Sequence, residues 1–178
     1  PAYALHGLVA MLTGAAGGIG HATSKLLIER GATVVMTDMV DSVDRVAAGK
    51  GALGLPQDVT DADATRTVVM EVRDRVGRLD ILVNAAGWDQ PALFTDTDAT
   101  LWRRVIDINY LGVLTCCHAA IPVLREQGGV IVTVASDLAR VGGWGEAVYA
   151  GAKAGVVAFS KSLAREVGSR GITVNVVA

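Results

Sequence analysis

Thr13-Gly14-Ala15-Ala16-Gly17-Gly18-Ile19-Gly20 follows the apolar run Leu8–Leu12 and opens a helical stretch from about Ile19 to Arg30, which Gly31 ends. Gly14 permits a sharp turn, Gly18 leaves backbone N–H groups open to a phosphate, and Gly20 lets the helix sit close on the strand. A phosphate at that point meets the positive end of the helix dipole. Glycine-rich turns are common, and the pattern alone is weak. Its position between a strand and a helix makes it a dinucleotide site, with Gly14, Ala16, Gly17, Gly18, Ile19 and Gly20 as the expected contacts.

Outward from this turn the chain alternates. Thr33–Thr37, Ile81–Val83, Val130–Val134 and Thr173–Val177 are β-branched apolar runs, and Ala52–Leu55 is a weaker one. Each is continuous rather than alternating, as in parallel strands buried on both faces. Between them lie helical stretches: Asp61 to Val76, ended by Gly77; about Thr97 to Gln127, broken near Asn109 and bent at Pro122; and about Tyr149 to Val167. This alternation predicts a single α/β domain over 1–178. The expected fold is a doubly wound parallel sheet in a three-layer α/β/α sandwich, with strand order 3-2-1-4-5-6.

Asp38 lies 18 residues beyond Gly20, at the end of the second strand. A carboxylate there accepts from both hydroxyls of an adenosine ribose and repels a 2′-phosphate. Ala15, Ala16 and Met39 supply no cation to offset that repulsion, so NAD is favoured over NADP. Asp58, followed by Val59, either bonds the adenine amino group or caps the next helix.

Bulk composition narrows the function. The 178 residues carry 16 basic and 18 acidic side chains, for a net charge of −2, with no basic cluster to bind nucleic acid. The longest apolar run, Tyr110–Leu124, contains His118 and Pro122 and is too short to span a bilayer. The start, Pro1–Leu8, shows no secretory pattern. Cys116 and Cys117 are adjacent, without CxxC spacing, and suggest core residues in a reducing cytoplasm rather than a disulfide or a metal site.

The chemistry is expected near the last helix. Tyr149-Ala-Gly-Ala-Lys153 places a phenol and an ammonium on one helical face. An ammonium about 4 Å from a phenol is worth roughly 4 kcal/mol at an effective dielectric near 20. That would bring Tyr149 from near 10 to near neutral pH, where an acid/base works best. Ser136 ends the fifth strand at the carboxyl edge of the sheet, where it either donates to a substrate oxygen beside Tyr149 or caps a turn. Asn109 sits at the suspected helix break. A backbone carbonyl freed there holds a water linking Lys153 to solvent, or Asn109 simply tolerates a kink.

Taken together, these residues resemble the short-chain dehydrogenase/reductase family. Its Thr-Gly-x-x-x-Gly-x-Gly is Thr13 to Gly20, and its Asn-Asn-Ala-Gly appears as Asn84-Ala85-Ala86-Gly87, with Ala85 in place of the second Asn. Its catalytic Asn, Ser, Tyr and Lys fall on Asn109, Ser136, Tyr149 and Lys153. The resemblance implies hydride transfer between nicotinamide C4 and a carbinol carbon. In that scheme Tyr149 moves the proton, Ser136 positions the oxygen, and Lys153 binds the nicotinamide ribose and lowers the Tyr149 pKa. Asn109 holds the relay water. It also implies that Asn84, Ala85, Ala86, Gly87, Tyr149 and Lys153 contact the dinucleotide. The implied assembly is a cytoplasmic homotetramer pairing its long helices, with Ala150, Ala154 and Ala158 permitting close approach. The family continues past the Asn175 position with Pro-Gly, a substrate lid and a seventh strand, which this sequence does not include.

Substrate choice lives in loops. Trp88, Asp137, Arg140 and Trp144 are the expected pocket residues. The loop wording is similar to that of alicyclic 2-hydroxyacyl-CoA dehydrogenases and, more loosely, of 3-oxoacyl-carrier-protein reductases. Arg140 meets an acidic carrier or a CoA phosphate, or else Arg140 and Glu146 are surface charges. Trp88 and Trp144 wall an apolar pocket or fill a subunit interface. The expected substrate is a small alcohol or ketone, or a CoA thioester. A reading of another class, a non-catalytic NAD-binding module, has no need of Ser136, Tyr149 and Lys153 together.

Overall fold

The computed structural model describes residues 4–40, 43–124 and 126–178. Six parallel strands form one sheet in the order β3-β2-β1-β4-β5-β6. They are β1 (Val9–Thr13), β2 (Thr33–Asp38), β3 (Leu53–Pro56), β4 (Ile81–Asn84), β5 (Gly129–Val134) and β6 (Ile172–Val177). The order reverses between β1 and β4, which pair from Ala10–Ile81 to Thr13–Asn84. That reversal opens a crevice at the carboxyl ends of the strands, as the sequence predicts.

The helices are α1 (Gly18–Glu29), α2 (Val43–Ala48), α3 (Ala62–Val76), α4 (Ala99–Ile106), α5 (Gly112–Leu124), α6 (Leu138–Val141) and α7 (Ala147–Val167). Strand pleating divides the core in two. On β1, Val9 and Met11 face a cluster that includes Val69 of α3, Val113 of α5 and Val156 of α7. Ala10 and Leu12 face the other side, against Leu27 and Ile28 of α1 and Val43 and Ala47 of α2. Fully burying a Leu or Met stabilises the fold by roughly 1.5–3 kcal/mol each.

Local signals set the helix ends. The Asp61 carboxylate accepts from Ala64 N–H at 2.9 Å, and Gly77 closes α3 in the left-handed conformation. Asp98 caps α4 by accepting from Thr100 and Leu101 N–H. Each such cap is worth about 1 kcal/mol.

Several expectations need correction. Helices α2 and α6 were not foreseen; both are short and carry too few apolar positions to show a helical period. Strands β1 and β4 are buried throughout, but β5 and β6 alternate: Ile131 and Ile172 join the core cluster with Val156, Leu163 and Val167 of α7, while Val130 and Val177 are exposed. The expected break at Asn109 is a single π-helical turn, Asp107–Leu111, that keeps the helix continuous. As a result one helix, Ala99–Leu124, is long and apolar enough to cross a membrane by length and composition. Its inner face instead joins the core through Val113, Cys116, Ala120 and Leu124. The two cysteines are free and buried, and burial pushes both thiols up to about 12. No metal-holding group of His, Cys, Asp or Glu occurs among the described residues.

Candidate active site

The crevice holds an open cavity of about 1000 Å³, running along the glycine turn from Asp38 past Asp58 and Gly87 to Asp107. Gly14 adopts φ +63°, and a Cβ there would lie 2.7 Å from the Ala86 Cα. The turn therefore backs directly onto the loop after β4. Thr13 fastens the two, its hydroxyl accepting from the N–H groups of Ala85 and Ala86 at 3.2 Å. A Cβ on Gly20 would run into the Gly14 carbonyl oxygen, whereas one on Gly18 would meet nothing within 4 Å. Gly20 thus closes helix on strand, and Gly18 faces open space.

These residues fit a dinucleotide. Helix α1 has no side-chain cap and no acidic residue in its first turn. Its first N–H groups, which have no intrahelical partner, are left for an anion. Asp38 accepts from Ala16 N–H at 3.0 Å through one oxygen and from Val40 N–H at 3.3 Å through the other. A carboxylate has about four acceptor positions, so two remain for a ribose diol. Ile19 and Met39 are exposed apolar side chains on the rim of the cavity. Asp58 accepts from both the N–H and the hydroxyl of Thr60, and Asp61 is the helix cap. Asp58 is thus a turn residue on the cavity wall with one carboxylate oxygen outside that turn. Val59, Ala85, Ala86 and Trp88 also line the cavity.

Asn84 does not. It is 2% exposed, and its amide donates to Thr133 Oγ1 at 3.1 Å and to Cys117 Sγ at 3.5 Å. Its side chain turns into the core and ties β4 to β5 and α5.

Gly87 joins this cavity to the groups expected to do chemistry. A Cβ there would lie 3.1 Å from Asn109 Oδ1 and 3.7 Å from Lys153 Nζ. Asn109 is fully buried, donating to the carbonyls of Trp88 (2.6 Å) and Val105 (2.9 Å) and accepting from Trp88 N–H. Its amide holds the wider helical turn against the β4 loop. Ser136 accepts from Leu138 N–H at 3.2 Å, so it starts α6, and it also lies beside Tyr149.

Lys153 is 3% exposed and donates to the Val134 carbonyl at 2.9 Å. Burial lowers its pKa to about 8. Its Nζ is 5.7 Å from the Tyr149 ring centroid. The expected depression of the Tyr149 pKa by Lys153 is therefore corrected. Desolvation raises it, with smaller contributions from Asp89 and Glu146, and the Ser136 hydroxyl only partly opposes them.

Tyr149 borders a second, smaller cleft together with Asp89, Leu101, Val105 and Glu146. The structure brings Trp88 to the dinucleotide cavity, where the Arg104 guanidinium lies 3.8 Å over its ring centroid. It brings Asp137, Arg140 and Trp144 to neither space. Asp137 and Arg140 are an exposed ion pair at 3.2 Å, and Trp144 is 83% exposed. Sequence reasoning missed Thr13, Arg104 and the Asp89–Glu146 pair. Thr13 was read only as the edge of the glycine pattern, and no spacing rule links Asp89 to Glu146.

A glycine turn at the switch point of a doubly wound sheet, with a buried lysine and a tyrosine beyond it, defines a nucleotide-dependent oxidoreductase. Residues 8–178 match the short chain dehydrogenase family, and the chain belongs to it. It is 38% identical over 178 residues to the 3-oxoacyl-[acyl-carrier-protein] reductase of Vibrio harveyi, covering 98% of this chain and 73% of that protein. It is 42% identical over 177 residues to the cis-4-hydroxycyclohexanecarboxylate dehydrogenase of Sinomonas cyclohexanicum, covering 96% and 71%. A putative short-chain alcohol dehydrogenase from Sinorhizobium meliloti 1021 superposes with TM-score 0.95 at 33% identity, over all of this chain and 73% of that one. The chain is an oxidoreductase of the class acting on CH–OH and keto groups.

Proposed function

We propose that the chain interconverts a secondary alcohol and a ketone with NAD, using Ser136, Tyr149 and Lys153. The bound dinucleotide supplies the hydride acceptor or donor. In oxidation the Tyr149 phenolate takes the proton from the alcohol oxygen, and in reduction the Tyr149 phenol gives it to the ketone oxygen. Ser136 donates to the same oxygen and fixes its position. Lys153 has three N–H donors, of which the Val134 carbonyl takes one. The other two are left for ribose hydroxyls of the dinucleotide on the Gly87 side, where a Cβ would lie 3.7 Å from Nζ. A carbonyl of the π-helical turn at Asn109 holds the water through which the proton leaves.

The observation that carries this reading is the placement of Gly87. It borders the dinucleotide cavity and lies within side-chain reach of Lys153, whose helix also carries Tyr149 into the neighbouring cleft. Asp38, with two free acceptor positions and no ion pair among the described residues, favours NAD over NADP.

The test is NADH absorbance with a panel of cyclic secondary alcohols and 3-hydroxyacyl thioesters. Tyr149→Phe is expected to keep NADH binding and lose turnover by 100-fold or more. Unchanged turnover in that variant would discard the mechanism. A 3-oxoacyl thioester is the alternative substrate class, supported by the likeness to the Vibrio harveyi reductase. We further propose a cytoplasmic homotetramer joined through the outer faces of α5 and α7. A groove of about 620 Å³ there is lined by Leu114, Ile121, Pro122 and Phe159. Light scattering reads its mass.

A further inference from the structure

Helix α4 borders two spaces. Its Leu101 and Val105 line the small cleft beside Tyr149. Thr100, Arg103 and Arg104, with Asp107 and Ile108 of the wider turn that follows, line the dinucleotide cavity. Those five positions keep the i, i+3, i+4, i+7, i+8 spacing of one helical face. The face carries two successive arginines, both exposed. Among the described residues neither takes part in an ion pair, and neither does Asp107 beside them. The other two carboxylates of the cavity are engaged elsewhere, Asp38 with Ala16 and Val40 and Asp58 with Thr60.

Arg104 is held in place although no anion holds it. Its guanidinium carbon lies 3.8 Å over the Trp88 ring centroid. Trp88 is in turn fixed through its main chain: its carbonyl accepts from Asn109 Nδ2 at 2.6 Å, and its N–H donates to Asn109 Oδ1 at 3.4 Å. Asn109 is fully buried, so the ring is a rigid platform. A guanidinium seated on such a ring has already given up much of the side-chain freedom that binding costs an exposed arginine. Its N–H donors lie around its edge, where the ring does not reach them, and that fork matches two oxygens of a phosphate. Arg103 adds a second positive charge at the next position, which suits a group with up to two negative charges better than a carboxylate with one. The first N–H groups of α1, on a different element, are the cavity's other place for an anion.

We propose that Arg104, set on Trp88 and assisted by Arg103, forms a second phosphate-binding position in the dinucleotide cavity, separate from the glycine turn. Its ligand is a phosphoryl group, carried by the thioester arm of the substrate or by the dinucleotide itself. The proposal rests on the glycine turn being the seat of the dinucleotide's pyrophosphate. It moves to α4 the anion-binding role that loop wording suggested for Arg140, whose guanidinium is paired with Asp137.

The experiment titrates the NADH-loaded protein by calorimetry with free coenzyme A and with pantetheine, which has the same thiol arm and no phosphate. In the wild type coenzyme A is expected to bind at least about tenfold more tightly, and the advantage shrinks as salt is raised. Arg104→Ala removes an exposed side chain and breaks no ion pair, so folding is retained, and the advantage is expected to vanish. Arg104→Lys keeps the charge without the fork and restores part of it. Trp88→Ala, whose main chain Asn109 still holds, reproduces part of the loss. A fall of about tenfold in NADH affinity in Arg104→Ala, with no change toward coenzyme A, also supports the position and assigns it to the dinucleotide's own phosphate. If Arg104→Ala alters neither NADH affinity nor the preference for coenzyme A over pantetheine, the proposal is overturned. A protein that binds no NADH at all fails the reading of the glycine turn, and the same comparison on the unloaded protein then decides this proposal by itself.

Discussion

The Lys153 ammonium gives its hydrogen bond to the Val134 carbonyl, at 2.9 Å, and stands 5.7 Å from the Tyr149 ring centroid. The pair is thus adjacent without being coupled through a bond. Each group is perturbed by its own surroundings: Lys153 downward by burial, Tyr149 upward by burial and by its acidic neighbours.

Burial of Lys153 has a signature in stability. The native state holds it at about 8, against 10.5 for an exposed lysine, so the unfolded chain binds more protons between those values. Stability then rises with pH across that window, and the cost of the buried charge is fully present below pH 8. The difference in unfolding free energy between the wild type and Lys153→Met should shift by about 2.5 kcal/mol toward the wild type from pH 7 to pH 10. Urea melts at the two pH values check it, and a constant difference would refute it.

Gly18 and Gly20 separate two roles of the glycine turn. Gly18→Ala adds a methyl that meets no protein atom, so the melting temperature should hold. NADH affinity should fall at least tenfold, since the methyl stands where the phosphate approaches. Gly20→Ala drives its Cβ into the Gly14 carbonyl and should lower both affinity and melting temperature. Fluorescence titration and thermal melts distinguish the two.

Asp38→Asn removes the charge while keeping an oxygen for Ala16 N–H. The ratio of kcat/KM for NAD over NADP should drop at least tenfold, mainly through a gain with NADP. An unchanged ratio would remove Asp38 from cofactor choice.

Asp80 holds the start of the central strand pair. It accepts from Val9 N–H at 2.8 Å and from the Arg78 guanidinium at 2.6 and 2.8 Å. Burial would push its carboxyl up, but the bonds from Arg78 and Val9 outweigh it and hold the pKa below the ordinary value. A depressed acid contributes stability that is complete above its unfolded pKa and is lost as pH falls through the folded one. Asp80→Ala should cost about 2–3 kcal/mol at pH 7 and progressively less below pH 4, measured by urea melts.

Much of this was legible in the sequence because the deciding signals are local. A glycine turn, a helix cap at Asp61 and continuous apolar strands each span a few residues and fix the sheet order. The helix break at Asn109 was visible as a position, but its form as a wider turn depends on contacts with Trp88. What the chain concealed is pairing at a distance. Asp89 and Glu146 lie 57 positions apart. The acidity of Tyr149 depends first on burial, then on Ser136, and less on Asp89 and Glu146, rather than on the lysine four residues away. Asp137, Arg140 and Trp144 were placed by loop wording, and exposed side chains there follow the short helix α6 outward.

Thr13 contributes one oxygen that two successive amides of the β4 loop share. The floor of the nucleotide groove is therefore clamped before any ligand arrives. A ligand entering it has little main chain to immobilise at that point, so its association need not wait for the groove to close and its residence time is set by contacts alone. Thr13→Val, which keeps the volume and deletes the clamp, would turn a rigid receptor into one that must be organised at each encounter.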